Sequence, residues 1–235
     1  MDNDYTSAGE MNLYTHPLAK AFLSKVYAWM AVAMLVTAGV AIYSAKTPKL
    51  LFMALENWGW IFLSAIVIIV CMSLFARRLP QSVLAVMLLA FAGIQGLLFG
   101  PILIAFTQAS LATTFACTAG AFGSMSLYGA LTKRDLGPWG RALSMVLFGL
   151  IICVVVNFFT KSSNVDLIIS AVGVVLFSLY TAYDTQKILQ EGLELEGEER
   201  SKGAIFGALT LYLDFINLFL YLLRFLGEVA RDSSN

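Results

Sequence analysis

Two carboxylates stand where the sequence otherwise reads as lipid-spanning helix: Asp184 in FSLYTAYDTQK (177–187) and Asp214 in LTLYLDFINLFLYLL (209–223). At the bilayer centre a carboxylate costs at least about 2.5–3.5 kcal/mol on insertion scales, so a chain that holds two of them there has a use for them. If they meet in a low-dielectric setting they cannot both ionise without strong repulsion, and they share a proton and titrate as one unit. That is the physical basis of a proton-operated switch. Tyr180 and Thr181 sit about one turn before Asp184, and Asn217 follows Asp214 by three residues. From these positions two hydroxyls and an amide can donate to the carboxylates. Arg77 and Arg78 close the second apolar run. One of them could pair with an ionised aspartate and latch the mouth of a pathway, or both could simply hold a helix end inside. The bland alternative for the aspartates is a buried structural pair bonded to Tyr and Asn.

The elements that must carry these residues follow from composition. The chain has 235 residues, 59% hydrophobic and 13% charged. A water-soluble domain would carry nearer to about 25% charged residues. This composition defines an all-α membrane protein. A span needs about 20 apolar residues, and seven such runs are predicted, at 22–45, 58–76, 82–107, 109–131, 139–160, 166–189 and 203–227. They form one transmembrane domain (22–227) between a polar N-terminal tail (1–21) and a short C-terminal tail (228–235). No basic n-region precedes the first apolar run, so that run is expected to act as an uncleaved anchor.

On this layout Asp184 lies just inside the membrane surface, three residues before Lys187, whereas Asp214 lies near mid-span, eleven residues beyond Gly203. The two depths coincide only if one helix tilts or the last one starts deeper. Alternate loops divide the 15 Lys and Arg residues ten against five, which places the N-terminus in the cytoplasm.

Several other features have simpler readings. A zero formal net charge removes the basic footprint of a nucleic-acid binder. Cys71, Cys117 and Cys153 each fall inside an apolar run and read as packing residues, and His16 in the polar tail reads as incidental. Gly93, Gly96, Gly100, Gly120 and Gly123 suggest close helix packing, with Gly96 and Gly100 forming a GxxxG pair. Gly100 and Pro101 together form a candidate helix hinge. The segment QEGLELEGEERSKG (190–203) reads as a solvated loop, with a cation-attracting vestibule as the alternative. Asn157 is expected to make an interhelical hydrogen bond. With no His or Cys cluster beside the aspartates and no Gly next to either, neither metal-assisted hydrolysis nor paired-aspartate proteolysis is supported, and the expected protein is not an enzyme. A weak echo, SLY-x-A at 126–130 and again at 178–182, hints at a repeated hairpin.

SLYTAYDTQKI (178–188) and GALTLYLDFINLFLYLLRFLG (207–227) closely resemble the Bax inhibitor-1 (transmembrane Bax inhibitor motif) family, and the likeness extends over nearly the whole chain. It implies seven helices, six of them surrounding a central C-terminal helix. It implies a pH-sensitive calcium leak with Asp184 and Asp214 as proton sensor, Ca2+ passing transiently near them, and Arg77, or less directly Arg78, as latch. It implies no cofactor. The short C-terminal tail matches the bacterial branch of the family and an inner (plasma) membrane location, with the lipid bilayer, Ca2+ and protons as partners. Two alternatives stay open: an interaction protein that modulates a membrane-bound AAA protease through the tail (1–20) and the glutamate run, and a proton-coupled calcium exchanger.

Overall fold

A computed structural model describes residues 16–76 and 78–232. Among these residues there are eight helices and no strand: α1 (Pro17–Lys46), α2 (Pro48–Glu56), α3 (Trp58–Phe75), α4 (Gln81–Ala105), α5 (Gln108–Leu131), α6 (Trp139–Thr160), α7 (Ser163–Glu194) and α8 (Gly197–Asp232). Six of them, α1, α3, α4, α6, α7 and α8, are long and apolar enough to cross a membrane. α5, the remaining predicted span, has 24 residues, about 36 Å at 1.5 Å per residue. Its Thr113, Thr114, Thr118, Ser124 and Ser126 make it less apolar than the others.

The helices outrun their predicted bounds wherever polar residues continue a helical pattern. α1 starts at Pro17, five residues before the expected Phe22, because proline is favoured in a first helical turn where its missing N–H goes unused. α2, between the first two predicted spans, is a nine-residue helix, again with proline in the first turn. The expected loop at 190–203 is the largest correction. α7 continues to Glu194 and α8 begins at Gly197, leaving two residues between them. Gly197 takes the left-handed conformation at φ +53°, which glycine adopts without steric cost. Glu198 and Glu199 then occupy the first turn of α8, where the helix dipole favours negative charge. Both lie against Lys202, at 3.3 and 3.4 Å.

The chain forms two compact units, each built from separated stretches. The first holds residues 1–23, 112–194 and 213–235, hence most of α5, all of α6 and α7, and the second half of α8. Here α6 packs against α7, and the predicted role of Asn157 holds. Its Nδ2 donates to Asp166 Oδ1 of α7 at 2.8 Å, while its Oδ1 accepts from Thr160 Oγ1 (2.9 Å) and the Ser162 N–H (3.1 Å). The second unit holds residues 24–111 and 195–212, with α2 and α3 packed on α4.

Gly96 and Gly100 bring α4 against α1: a Cβ on Gly96 would lie 2.7 Å from the Thr37 carbonyl oxygen, and one on Gly100 would lie 2.6 Å from Ser44 Oγ. Gly93, Gly120 and Gly123, grouped with them in the sequence reading, have nothing within 4 Å of such a Cβ and make no close approach. α4 runs unbroken through Gly100 and Pro101.

Candidate functional site

The site is built in the first unit, where α5, α7 and α8 meet. Between Thr181 and Gly192, α7 buries Thr181, Ala182, Asp184, Thr185, Gln186, Ile188, Leu189 and Gly192. Two glycines let its neighbours come close. A Cβ on Gly129 of α5 would run into the Ala182 carbonyl, and one on Gly140 of α6 would lie 2.5 Å from the Tyr183 hydroxyl. On α8, the Phe215 ring is held by two edge contacts from α5, with Phe122 at 5.4 Å and Phe115 at 5.6 Å between centroids. Contacts of this kind contribute about 0.5–1.5 kcal/mol beyond area burial. They fix the turn of α8 that carries Asp214.

Asp184 and Asp214 meet side by side, within hydrogen-bonding contact of one another. Asp184 is 9% exposed and Asp214 4% exposed. The two carboxyls meet although an offset along their helices remains. α7 continues for ten residues past Asp184, to Glu194, and α8 begins seventeen residues before Asp214, at Gly197. Both carboxyls therefore lie within helical bodies. The Oδ2 atom of Asp214 is buried without a hydrogen-bond partner among the described residues. Charges on α7 also reach Asp184: Lys187 one turn on and Glu191 two turns on, with opposite effects.

The three predicted donors serve other acceptors. Thr181 Oγ1 donates to the Phe177 carbonyl (2.8 Å), Asn217 Nδ2 to the Leu213 carbonyl (2.8 Å), and the Tyr180 hydroxyl to Ser144 Oγ of α6 (3.4 Å). The physical reason is local. A Thr or Asn within a helix lies beside the carbonyl four residues earlier and satisfies itself there. Arg77 lies outside the described residues. Arg78 is exposed just beyond α3, with its backbone N–H on the Phe75 carbonyl.

Two residues beside Asp184 went unremarked in the sequence reading. Ser126 Oγ of α5 bonds Thr185 Oγ1 at 3.0 Å, and Thr185 passes the chain on to the Thr181 carbonyl at 2.7 Å. Gln186 clips the turn between α5 and α6: Oε1 accepts the Leu136 N–H and Nε2 donates to the Arg134 carbonyl, both at 2.8 Å. The sequence signal for Gln186 is an amide two residues from an intramembrane carboxylate.

The arrangement defines a multi-pass helical membrane protein with a buried carboxyl pair between two of its helices. In such a pair one shared proton makes the contact attractive, and its loss makes it repulsive. The chain belongs to the family described as inhibitor of apoptosis-promoting Bax1, whose sequence profile matches residues 19–231. It is 39% identical over 215 residues to the inner membrane protein YbhL of Escherichia coli, covering 89% of this chain and 92% of that one. An uncharacterized protein of Deinococcus radiodurans is 38% identical over 206 residues (87% and 89% of the two chains). One of Borreliella burgdorferi is 36% identical over 217 residues (90% and 93%).

Proposed function

We propose that this protein is a passive, proton-gated cation leak of the bacterial inner membrane, with the contact between Asp184 and Asp214 as its gate. The observation that carries this reading is the pair itself: two carboxyls in contact, nearly without solvent, with Asp214 Oδ2 unpartnered. A buried pair of carboxyls attracts while it shares a proton and repels once that proton is lost, which suits a gate. Calcium as the permeant ion rests on the family resemblance, and the inner membrane on the likeness to YbhL. We assign Arg77 as the latch that holds the ionised pair closed, and a conduit rather than an enzyme as the protein's class.

The same reading takes seven spans with α5 among them, six surrounding α8, and a cytoplasmic N-terminus. Its support is that α8 has the most buried apolar stretch of the six, at 61%, together with the ten-to-five division of Lys and Arg residues.

The test is calcium flux into liposomes reconstituted with the full chain, at about pH 6 and about pH 8, because a shared carboxyl proton makes the gate respond to pH. Flux should be larger at the lower pH. Asp184→Asn and Asp214→Asn should flatten that dependence, and Arg77→Ala should raise flux at the higher pH. If all three variants behave as wild type, the gate is not this pair. Calcium moving up its own gradient would make the protein a proton-coupled exchanger and overturn the passive leak.

A further inference from the structure

A second polar site lies at the other end of the first unit, where α6 turns into α7. There Val154, Asn157, Phe158, Lys161, Asp166 and Arg224 line an open cleft of about 410 Å³, within the ~300–1,000 Å³ of small-ligand sites. Its position is that of a lipid headgroup. α6 ends at Thr160 and α7 starts at Ser163, while Arg224 sits in the last turn of the apolar stretch of α8, which ends at Gly227.

The cleft is held in shape. Lys161 caps α6 in the left-handed conformation, at φ 51°. Asn157 is almost fully buried, at 5% exposure, and is wholly engaged with Ser162, Thr160 and Asp166. It donates to Asp166 Oδ1, and Asp166 lines the cleft. Among the described residues neither Lys161 nor Arg224 is ion-paired. Phe158, 74% exposed, forms an apolar wall that in a membrane meets acyl chains.

The charges choose the ligand. A purely anionic group would find two cations but also Asp166 against it. A bare cation would find Asp166 but two like charges beside it. A zwitterion that carries a phosphate and a primary ammonium a few bonds apart satisfies all three. We propose that this cleft binds the headgroup of an ethanolamine-type phospholipid: phosphate oxygens accept from Arg224 and Lys161, the ammonium donates to Asp166, and the acyl chains run along Phe158 and Val154. Charge-assisted bonds from a planar guanidinium suit a phosphate diester. A quaternary ammonium has no N–H to give Asp166, so choline lipids lose that contact.

The experiment is native mass spectrometry of the delipidated full chain in detergent, titrated with phosphatidylethanolamine, phosphatidylcholine and phosphatidylglycerol of matched chains. Wild type should hold phosphatidylethanolamine about tenfold more tightly than phosphatidylcholine, the ratio expected from one charge-assisted bond. Asp166→Asn, which still accepts from Asn157, should bring that ratio close to one. Arg224→Gln and Lys161→Asn, at exposed positions that tolerate the change, should weaken both lipids together. Equal binding of all three lipids by wild type overturns the proposal, and so does an Arg224→Gln protein of wild-type melting temperature that retains full binding. Displacement of the lipid by free phosphoethanolamine at equal concentration would also overturn it, by making the site one for a soluble ligand.

Discussion

Two residues of α8, Tyr212 and Asp214, meet opposite treatment. Tyr212 is fully buried in the second unit. Its hydroxyl lies 2.7 Å from Thr37 Oγ1, itself within hydrogen-bonding distance of the Ala92 and Ala33 carbonyls, at 2.9 and 3.0 Å. The Phe91 ring meets it edge-on at 5.8 Å. Every polar atom there has a partner, so nothing is gained by moving. Asp214, in the first unit, has a like group for a neighbour and one oxygen with no partner. A satisfied polar cluster rigidifies a core, whereas an unsatisfied one is a place where a proton, an ion or a shift of a helix changes the energy. One helix thus carries a rivet and, two residues on, the carboxyl proposed as a switch.

The comparison breaks most visibly at Asp214. Asp214→Asn should remove most of the pH dependence of calcium flux while the helical circular dichroism of the protein stays unchanged. If the dependence survives, the contrast between Tyr212 and Asp214 has no functional meaning. Next in size is Gly129→Ala. The new methyl meets a backbone carbonyl that cannot rotate away, so a loss of about 1–3 kcal/mol is expected, read as a lower melting temperature in detergent. Tyr212→Phe should cost about 1 kcal/mol because Thr37 keeps its carbonyl acceptors, and it should leave the pH profile of flux unmoved. A moved profile would couple rivet to switch. The smallest effect is that of Gly120→Ala. It enters open space on α5 and should stabilise by about 0.5–1 kcal/mol through helix propensity, the opposite sign to Gly129→Ala on the same helix.

Much of the fold was legible because the bilayer leaves few choices. Backbone groups in hydrocarbon must be satisfied within a helix, so every long apolar run became one. The runs failed as guides at their ends, where polar residues extend helices that hydropathy cannot see. That is why Glu191 to Glu199 read as loop and prove to close α7 and open α8 around Gly197. The glycines divide for a similar reason. Gly96 and Gly100 meet α1 and Gly120 and Gly123 meet nothing, although all sit in similar apolar surroundings, because contact depends on which helix passes by. Tyr180, Thr181 and Asn217 are near the aspartates along the helix, yet they bond Ser144 and the Phe177 and Leu213 carbonyls. Their own carbonyls and Ser144 were nearer in space.

The sequence by itself determined that this chain is helical and membrane-embedded, that it belongs to the Bax1 inhibitor family, and that Asp184 and Asp214 are costly enough to matter. Hydropathy and desolvation are properties of residues and need no coordinates. That the two carboxyls touch, that one of their oxygens is left open, and that Lys161, Asp166 and Arg224 share a cleft were decided only by the tertiary structure. Helix length, tilt and the turn each residue occupies are set by packing between segments distant in sequence, and no periodicity within one segment encodes them.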